Sequence, residues 1–393
     1  MLDDVVIASA CRTPIGSLGG SLSSLSAPQL GAIVVSESLR RSGIKPEQVS
    51  EVIMGCVLTA GVGQAPARQA AIFAGLPNSI ECMTINKVCG SGLKAIMIGA
   101  QAIRLGDAGI VVAGGMESMS NAPYLLEKAR TGYRMGHAQM IDSIIKDGLW
   151  DVYNDFHMGS AAELCAGSCN VSREAQDEFA TLSYKRALDA QQNGRFKEEI
   201  VPVAIPQRNG EQLTVAEDEE PKKVKFEKIA TLKPAFKKDG TVTAANASKI
   251  NDGAAAVVMM SEARAKELGI KPLARIVSYG STAKAPAEFT TAPADVIPKI
   301  LNRAKLNKAD VDLFEVNEAF AVVTLAVNAM LGLDPGKVNV NGGAIALGHP
   351  IGASGARILV TLLYAMKQRD ARRGMAAICI GGGEASGMIV ERS

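Results

Sequence analysis

At 393 residues the chain exceeds the roughly 250–300 at which a single hydrophobic core stops growing, so two or more domains or subdomains are expected. Its 47% hydrophobic and 21% charged residues suit a globular protein, and a net charge of only +2 gives no reason to expect a nucleic acid or a membrane surface as partner. No unbroken apolar stretch is long enough to span a bilayer. Seven scattered cysteines without a C-x-x-C pair read as reduced thiols, and the three histidines (His137, His157, His349) lack zinc-finger spacing to a cysteine pair, so no metal is expected.

In chain order, "MLDDVVIASACRTP" sets acids ahead of a strand-like run at 5–10, without the early basic residues of a signal or transit peptide. An unprocessed, cytoplasmic protein is the expectation. Residues 28–43 spell a helix that opens at Pro28 and closes on Arg40, Arg41 and Gly43. A strand is expected at 51–57, helices at 66–75 and 91–106, and a buried strand at 108–115 that runs into glycines. Residues 172–194 form a surface helix from an N-cap serine to Gly194.

Toward the end, 339–368 is a glycine-rich loop feeding a long helix, and 375–388 is a strand running into glycines, acid and serine. That strand echoes 110–119, and "LARIVSYGS" (273–281) echoes "VVIASACRT". An α/β fold follows, with one half duplicated; the strand–helix alternation predicts βαβ units and a largely parallel, buried sheet. The first half covers 1–119 and is completed by 249–268; 269–393 is the second half. Between them, 120–248 holds the most charged runs and reads as an inserted loop domain.

Four residues carry candidate chemistry. Cys89, in "INKVCGSGLKAI", precedes a helix whose N–H groups and dipole favour a thiolate. A buried small hydrophobe is the plain alternative, and "GSGLKA" also matches a weak dinucleotide fingerprint. His349 stands alone among glycines in "NGGAIALGHPIGASG", where an imidazole can donate to an oxyanion or exchange a proton with a thiol. Cys379 ends a strand before "GGG", the edge of an α/β sheet that faces a ligand crevice. Asn317, in "EVNEAF", can orient a water or a substrate carbonyl; a turn or cap asparagine is the alternative.

Taken together, "NKVCGSGLKA", "AGGMESMS", "YNDFHMG", "NASKINDGAAA", "NEAF", "GGAIALGHPIGASGAR" and "CIGGGEASG" resemble the thiolase family over practically the whole chain. The resemblance implies a five-layered α-β-α-β-α fold of two similar five-stranded halves with an inserted loop domain. It implies the reversible condensation of two acetyl-CoA to acetoacetyl-CoA and CoA. Cys89 would carry the acetyl group and Cys379 would take the proton from the second acetyl-CoA. His349 would activate Cys89 and, with a water on Asn317, cradle the enolate oxygen. The N–H groups of Cys89 and Gly381 would form a second oxyanion hole.

The same resemblance places His157, Met158, Leu149, Ser248, Phe236, Phe320 and Phe289 against the coenzyme and acyl group. It implies a homotetramer and no cofactor beyond the CoA thioester substrate. Some relatives are potassium-activated, but their potassium-binding tyrosine falls at Pro221, so potassium is not carried over. Broader-range 3-ketoacyl-CoA thiolases, ketoacyl synthases and non-catalytic acyl-CoA binders of this fold are the alternatives; Cys379 with Asn317 speaks against a ketoacyl synthase, and intact Cys89, His349 and Cys379 against a mere binder.

Overall fold

The computed structural model describes residues 4–207 and 210–392. Nine strands make the main sheet: β1 (Val5–Arg12), β2 (Glu51–Gly55), β3 (Glu81–Ile85), β4 (Ile110–Ser118), β5 (Asn251–Ser261), β6 (Ala274–Ala283), β7 (Leu313–Val316), β8 (Arg373–Ile380) and β9 (Glu384–Glu391). Their order is β7-β8-β9-β6-β1-β5-β4-β2-β3, with the two-residue strand Gly16–Ser17 beside β5. Within the sheet, the two halves meet where Val6 and Ile7 of β1 pair with Arg275 and Ala274 of β6.

Each half has the same layout. The first runs β3-β2-β4-β5-β1; the second runs β7-β8-β9-β6, with Val338 bridging Phe314 in parallel where a fifth strand would stand. Helices α1 (Ala27–Ser42), α2 (Pro66–Phe73) and α3 (Ser91–Leu105) belong to the first half; α4 (Met158–Ser168) and α5 (Arg173–Gln192) lie in the insertion. The second half adds α6 (Pro293–Ala304), α7 (Ala321–Leu331) and α8 (Ile351–Gln368).

Side-chain alternation builds the layers. On β4, Val111 and Ala113 face the cluster that holds α3 and α8, while Ile110 and Val112 face α1 and α2. On β8, Ala376 and Ile378 face α8, while Met375 and Ala377 face α6. The order is therefore α1/α2, sheet, α3/α8, sheet, α6/α7. Helix α8 is buried on all sides through Met366, because it is shared by both sheets.

The sheet is not largely parallel, as the strand–helix alternation led us to expect. Only β2–β3, β2–β4 and β7–β8 are parallel. Strand β5 re-enters after the insertion and slots antiparallel between β1 and β4, and β8 turns directly into β9 as a hairpin. Single-chain periodicity shows that a strand is buried but not which way its neighbour runs. The expected strand at 108–115 also runs on to Ser118, so its two glycines lie inside the sheet. A Cβ on Gly115 would lie 2.1 Å from the Gly352 oxygen; its absence lets the start of α8 press on the strand.

Candidate active site

The turn before α3 presents Cys89 under constraint. Val88, a β-branched residue, takes φ 45°, a conformation that such side chains rarely adopt. Three side-chain bonds hold it there: Val88 N–H donates to Asn86 Oδ1 at 2.9 Å, Lys87 N–H to Ser91 Oγ at 2.8 Å, and Ser91 Oγ to the Val88 oxygen at 2.7 Å. Lys87 also pairs with Glu384, just after the β8–β9 turn. That turn is itself glycine-bound: Gly383 has φ 90°, and a Cβ there would lie 2.4 Å from the Lys284 oxygen.

These two turns bring the thiols together. Cys379, fully buried at the end of β8, feels the negative charge of a Cys89 thiolate. The backbone N–H groups of Gly381 and of Cys89 itself lie close enough to favour a Cys89 thiolate. The expected sharpening of Cys89 by the helix end does not appear in the free protein. Burial pushes its pKa up to about 11, outweighing the two N–H groups, and the nearby Glu117 carboxylate raises it too. Part of the reason is position: the helix begins at Ser91 with Gly90 as its cap, so Cys89 stands outside the first turn. Burial, then the charge of Cys89, also lifts Cys379 well above the usual thiol range.

His349 sits ahead of α8, whose Ala353 and Ala356 abut Gly92 at the start of α3. Its N–H donates to Asn251 Oδ1 at 3.0 Å. Its Nδ1 lies 2.6 Å from Ser354 Oγ, and that hydroxyl donates its one hydrogen to the Pro350 oxygen at 2.8 Å. Nδ1 must therefore carry the proton, leaving Nε2 as a lone-pair base, buried and without a partner among the described residues. Burial and then the Arg357 charge lower the pKa to about 3, so the ring is neutral.

Asn317 follows β7, and its N–H donates to the Ala377 oxygen at 2.9 Å, two residues before Cys379. Arg357 Nη2 donates to its Oδ1 at 3.3 Å. A guanidinium has no acceptor, so the amide oxygen must face Arg357 and Nδ2 turns away as a donor, buried and without a partner among the described residues.

The coenzyme-contact candidates divide. Met158, Phe289 and Phe320 share one cluster with Cys379, and Phe236 packs on it. Phe236 stacks on His157 with centroids 4.8 Å apart and meets Phe320 edge-on at 6.2 Å. His157 Nδ1 accepts from Gly159 N–H and caps α4. Ser248 N–H donates to the Ala319 oxygen at 2.9 Å, beside Phe320. Leu149 stands apart, against Val57, Leu58 and Ile351.

Sequence reasoning passed over three supporting residues. Ser354 sets the imidazole tautomer, and Arg357 orients Asn317; the visible signal for the latter was a lone arginine in an apolar helix. Glu117 was the third, a buried carboxylate at a strand end. It accepts Val57, Leu58 and Gly352 N–H at 3.0, 3.2 and 2.9 Å, and burial lifts its pKa to about 7. Among the described residues no group of three or more His, Cys, Asp or Glu side chains is placed to hold a metal ion.

Two neighbouring thiols, one buried and one partly exposed, with a neutral imidazole and nearby N–H groups on a duplicated five-layered fold define an acyl-transfer enzyme. The chain matches the thiolase N-terminal domain over residues 5–263 and the thiolase C-terminal domain over 270–392, and it belongs to the thiolase family. It is 58% identical to an acetyl-CoA acetyltransferase of Cupriavidus necator and 55% identical to one of Pseudomonas aeruginosa, each covered in full, as is this chain. The crystal structure of the Bacillus anthracis acetyl-CoA acetyltransferase matches with a TM-score of 0.97 at 43% identity, over 99% of both chains. The Ascaris suum Acat5 thiolase in complex with coenzyme A matches with 0.95 at 47% identity, over 99% of this chain and 100% of that one.

Proposed function

We propose that this enzyme is an acetyl-CoA C-acetyltransferase that condenses two acetyl-CoA into acetoacetyl-CoA and CoA, reversibly. The observation that carries this reading is that the Cys89 and Cys379 thiols lie close enough to feel each other's charge, with the Gly381 and Cys89 N–H groups beside the Cys89 sulfur. Full-length relatives named for that activity support it.

His349 Nε2 takes the Cys89 proton as the sulfur attacks the thioester carbon. CoA leaves with the Cys379 proton, so an acetyl-cysteine, an imidazolium and a Cys379 thiolate remain. That thiolate takes a methyl proton from the second acetyl-CoA, and the high pKa that burial gives it makes it a stronger base for a carbon acid. The imidazolium N–H and a water on Asn317 Nδ2 hold the enolate oxygen. The enolate carbon attacks the acetyl carbonyl, whose oxygen is held by the Cys89 and Gly381 N–H groups. Collapse expels Cys89, which recovers its proton from His349.

His157, Met158, Phe236, Phe289 and Phe320 would wall the acyl and pantetheine channel, supported by their shared packing with Cys379. Leu149 and Ser248 would touch the outer arm of the coenzyme. The division into 1–119 with 249–268, 120–248 and 269–393 is supported by the return of β5 into the first half. A cytoplasmic homotetramer without further cofactor completes the reading, supported by seven unlinked cysteines and by membership of the thiolase family.

The test is Cys379→Ser. It should still take one acetyl group from acetyl-CoA onto Cys89, seen by peptide mass, and lose at least 100-fold in condensation. Loss of both steps together would refute the division of labour. Cleavage of acetoacetyl-CoA beside a long-chain 3-ketoacyl-CoA tests the chain length.

A further inference from the structure

One largely buried ionisable group near the site has no part in the scheme above. Lys249 stands between Ser248 and the β5 strand, and its backbone oxygen accepts His349 N–H at 3.2 Å. Its ammonium turns onto backbone carbonyls: Nζ donates to the Ala247 oxygen at 2.8 Å and reaches the Ile345 oxygen at 3.4 Å. It lies 5.6 Å from the centre of the Tyr184 ring. Among the described residues no carboxylate stands within ion-pair distance of it; Glu220 and Glu318 act only from further off. Burial lowers its pKa to about 8.

The two carbonyls belong to different catalytic loops. Ala247 lies in the segment that pairs with the loop after Asn317: Ala321 N–H donates to Asn246, and Ser248 N–H to Ala319. Ile345 lies in the turn that delivers His349. Its N–H is held from the other side by Glu318 Oε2 at 3.2 Å, and Glu318 is anchored by Ser183 at 2.7 Å and Asn339 at 2.9 Å. One residue of the His349 turn is thus gripped by a carboxylate at its N–H and by an ammonium at its oxygen. Backbone carbonyls converging on one unpaired positive charge are the ligand type that proteins offer to a free monovalent cation.

We propose that Lys249 is a positioning residue that acts as a tethered monovalent cation, binding the Ala247 and Ile345 carbonyls together so that the coenzyme-arm loop and the His349 turn keep their register. This rests on the thiolase reading of the site. Side-chain length matters as well as charge, since the tether delivers the ammonium without the entropy of capturing an ion.

The experiment compares Lys249→Ala, Lys249→Met and Lys249→Arg with the parent in acetoacetyl-CoA cleavage, at constant ionic strength, with tetramethylammonium or methylammonium as the cation. The parent should be equally active in both salts; an inactive parent would count against the proposed function and not against the clamp. Lys249→Ala should lose at least tenfold in kcat and regain at least fivefold with methylammonium, which fits the space vacated by the ammonium. Lys249→Met fills that space without charge, so it should lose as much and regain nothing. An Ala variant within twofold of the parent overturns the proposal, as does a folded one indifferent to methylammonium. Should Lys249→Ala not fold, Lys249→Arg must keep activity while Lys249→Met loses tenfold; a fully active Met variant overturns it.

Discussion

Raising the pH in an alkylation experiment turns the burial of Cys89 into a rate. With a pKa of about 11, roughly 3 in 10,000 of the Cys89 thiols are ionised at pH 7.5, against about one in ten for an ordinary thiol with a pKa near 8.5. That is a deficit of roughly 300-fold. The more basic thiolate recovers about tenfold in intrinsic nucleophilicity, so carbamidomethylation by iodoacetamide should run about 30-fold slower than for a free thiol at this pH. Between pH 7.5 and 9.5 the rate should climb about 100-fold without levelling, where an ordinary thiol gains only about tenfold. The assay is peptide mass analysis of the Cys89 peptide at quenched time points, with acetyl-CoA as protectant. Cys82 and Cys169, also partly exposed, should label without that protection. A plateau below pH 9 would refute the reasoning, because it would mean that Cys89 already rests as a thiolate paired with an imidazolium.

Two further outcomes follow from the neighbouring groups. The folded pKa of His349 is about 3, below the unfolded value of about 6.5, so the unfolded chain takes the proton first. The associated stability is complete above pH 6.5 and is lost as pH falls toward 3, about 2.7 kcal/mol of it by pH 4.5. Urea unfolding of His349→Asn should therefore show that much less acid sensitivity between pH 7.5 and 4.5; equal sensitivity would count against a buried neutral ring. Arg357→Met removes the donor that turns Asn317 Nδ2 into the site, and should lower kcat about tenfold, roughly one hydrogen bond, with KM within twofold. Steady-state kinetics showing an unchanged kcat would sink that assignment.

Much of the architecture was legible because local signals and burial agreed. Ser26 and Gln29 box the start of α1 while Gly43 at φ 70° ends it, as the Pro28-to-Gly43 reading expected. Ser172 caps α5 by accepting from Ala175 N–H. The echoes between 5–12 and 274–283, and between 110–118 and 373–380, are the joining and central strands of two halves with one layout. Strand direction was not legible, because β5 pairs with β1 across more than two hundred residues and nothing local records its orientation.

What the sequence by itself determined was the set of reactive groups, the helix ends, and a duplicated α/β pattern rich enough in motif to point to the thiolase family. What only the tertiary structure decided was the state of those groups. The Cys89 loop looked like a place where a helix end would create a thiolate, yet the enclosing protein costs the charge more than two backbone N–H groups return. The tautomer of His349 and the facing of Asn317 hang on Ser354 and Arg357, side chains whose roles depend on where α8 lies between the two sheets. Burial and hydrogen-bond partners are properties of the packed chain, and desolvation, the largest influence on Cys89 and His349, has no signature in local sequence.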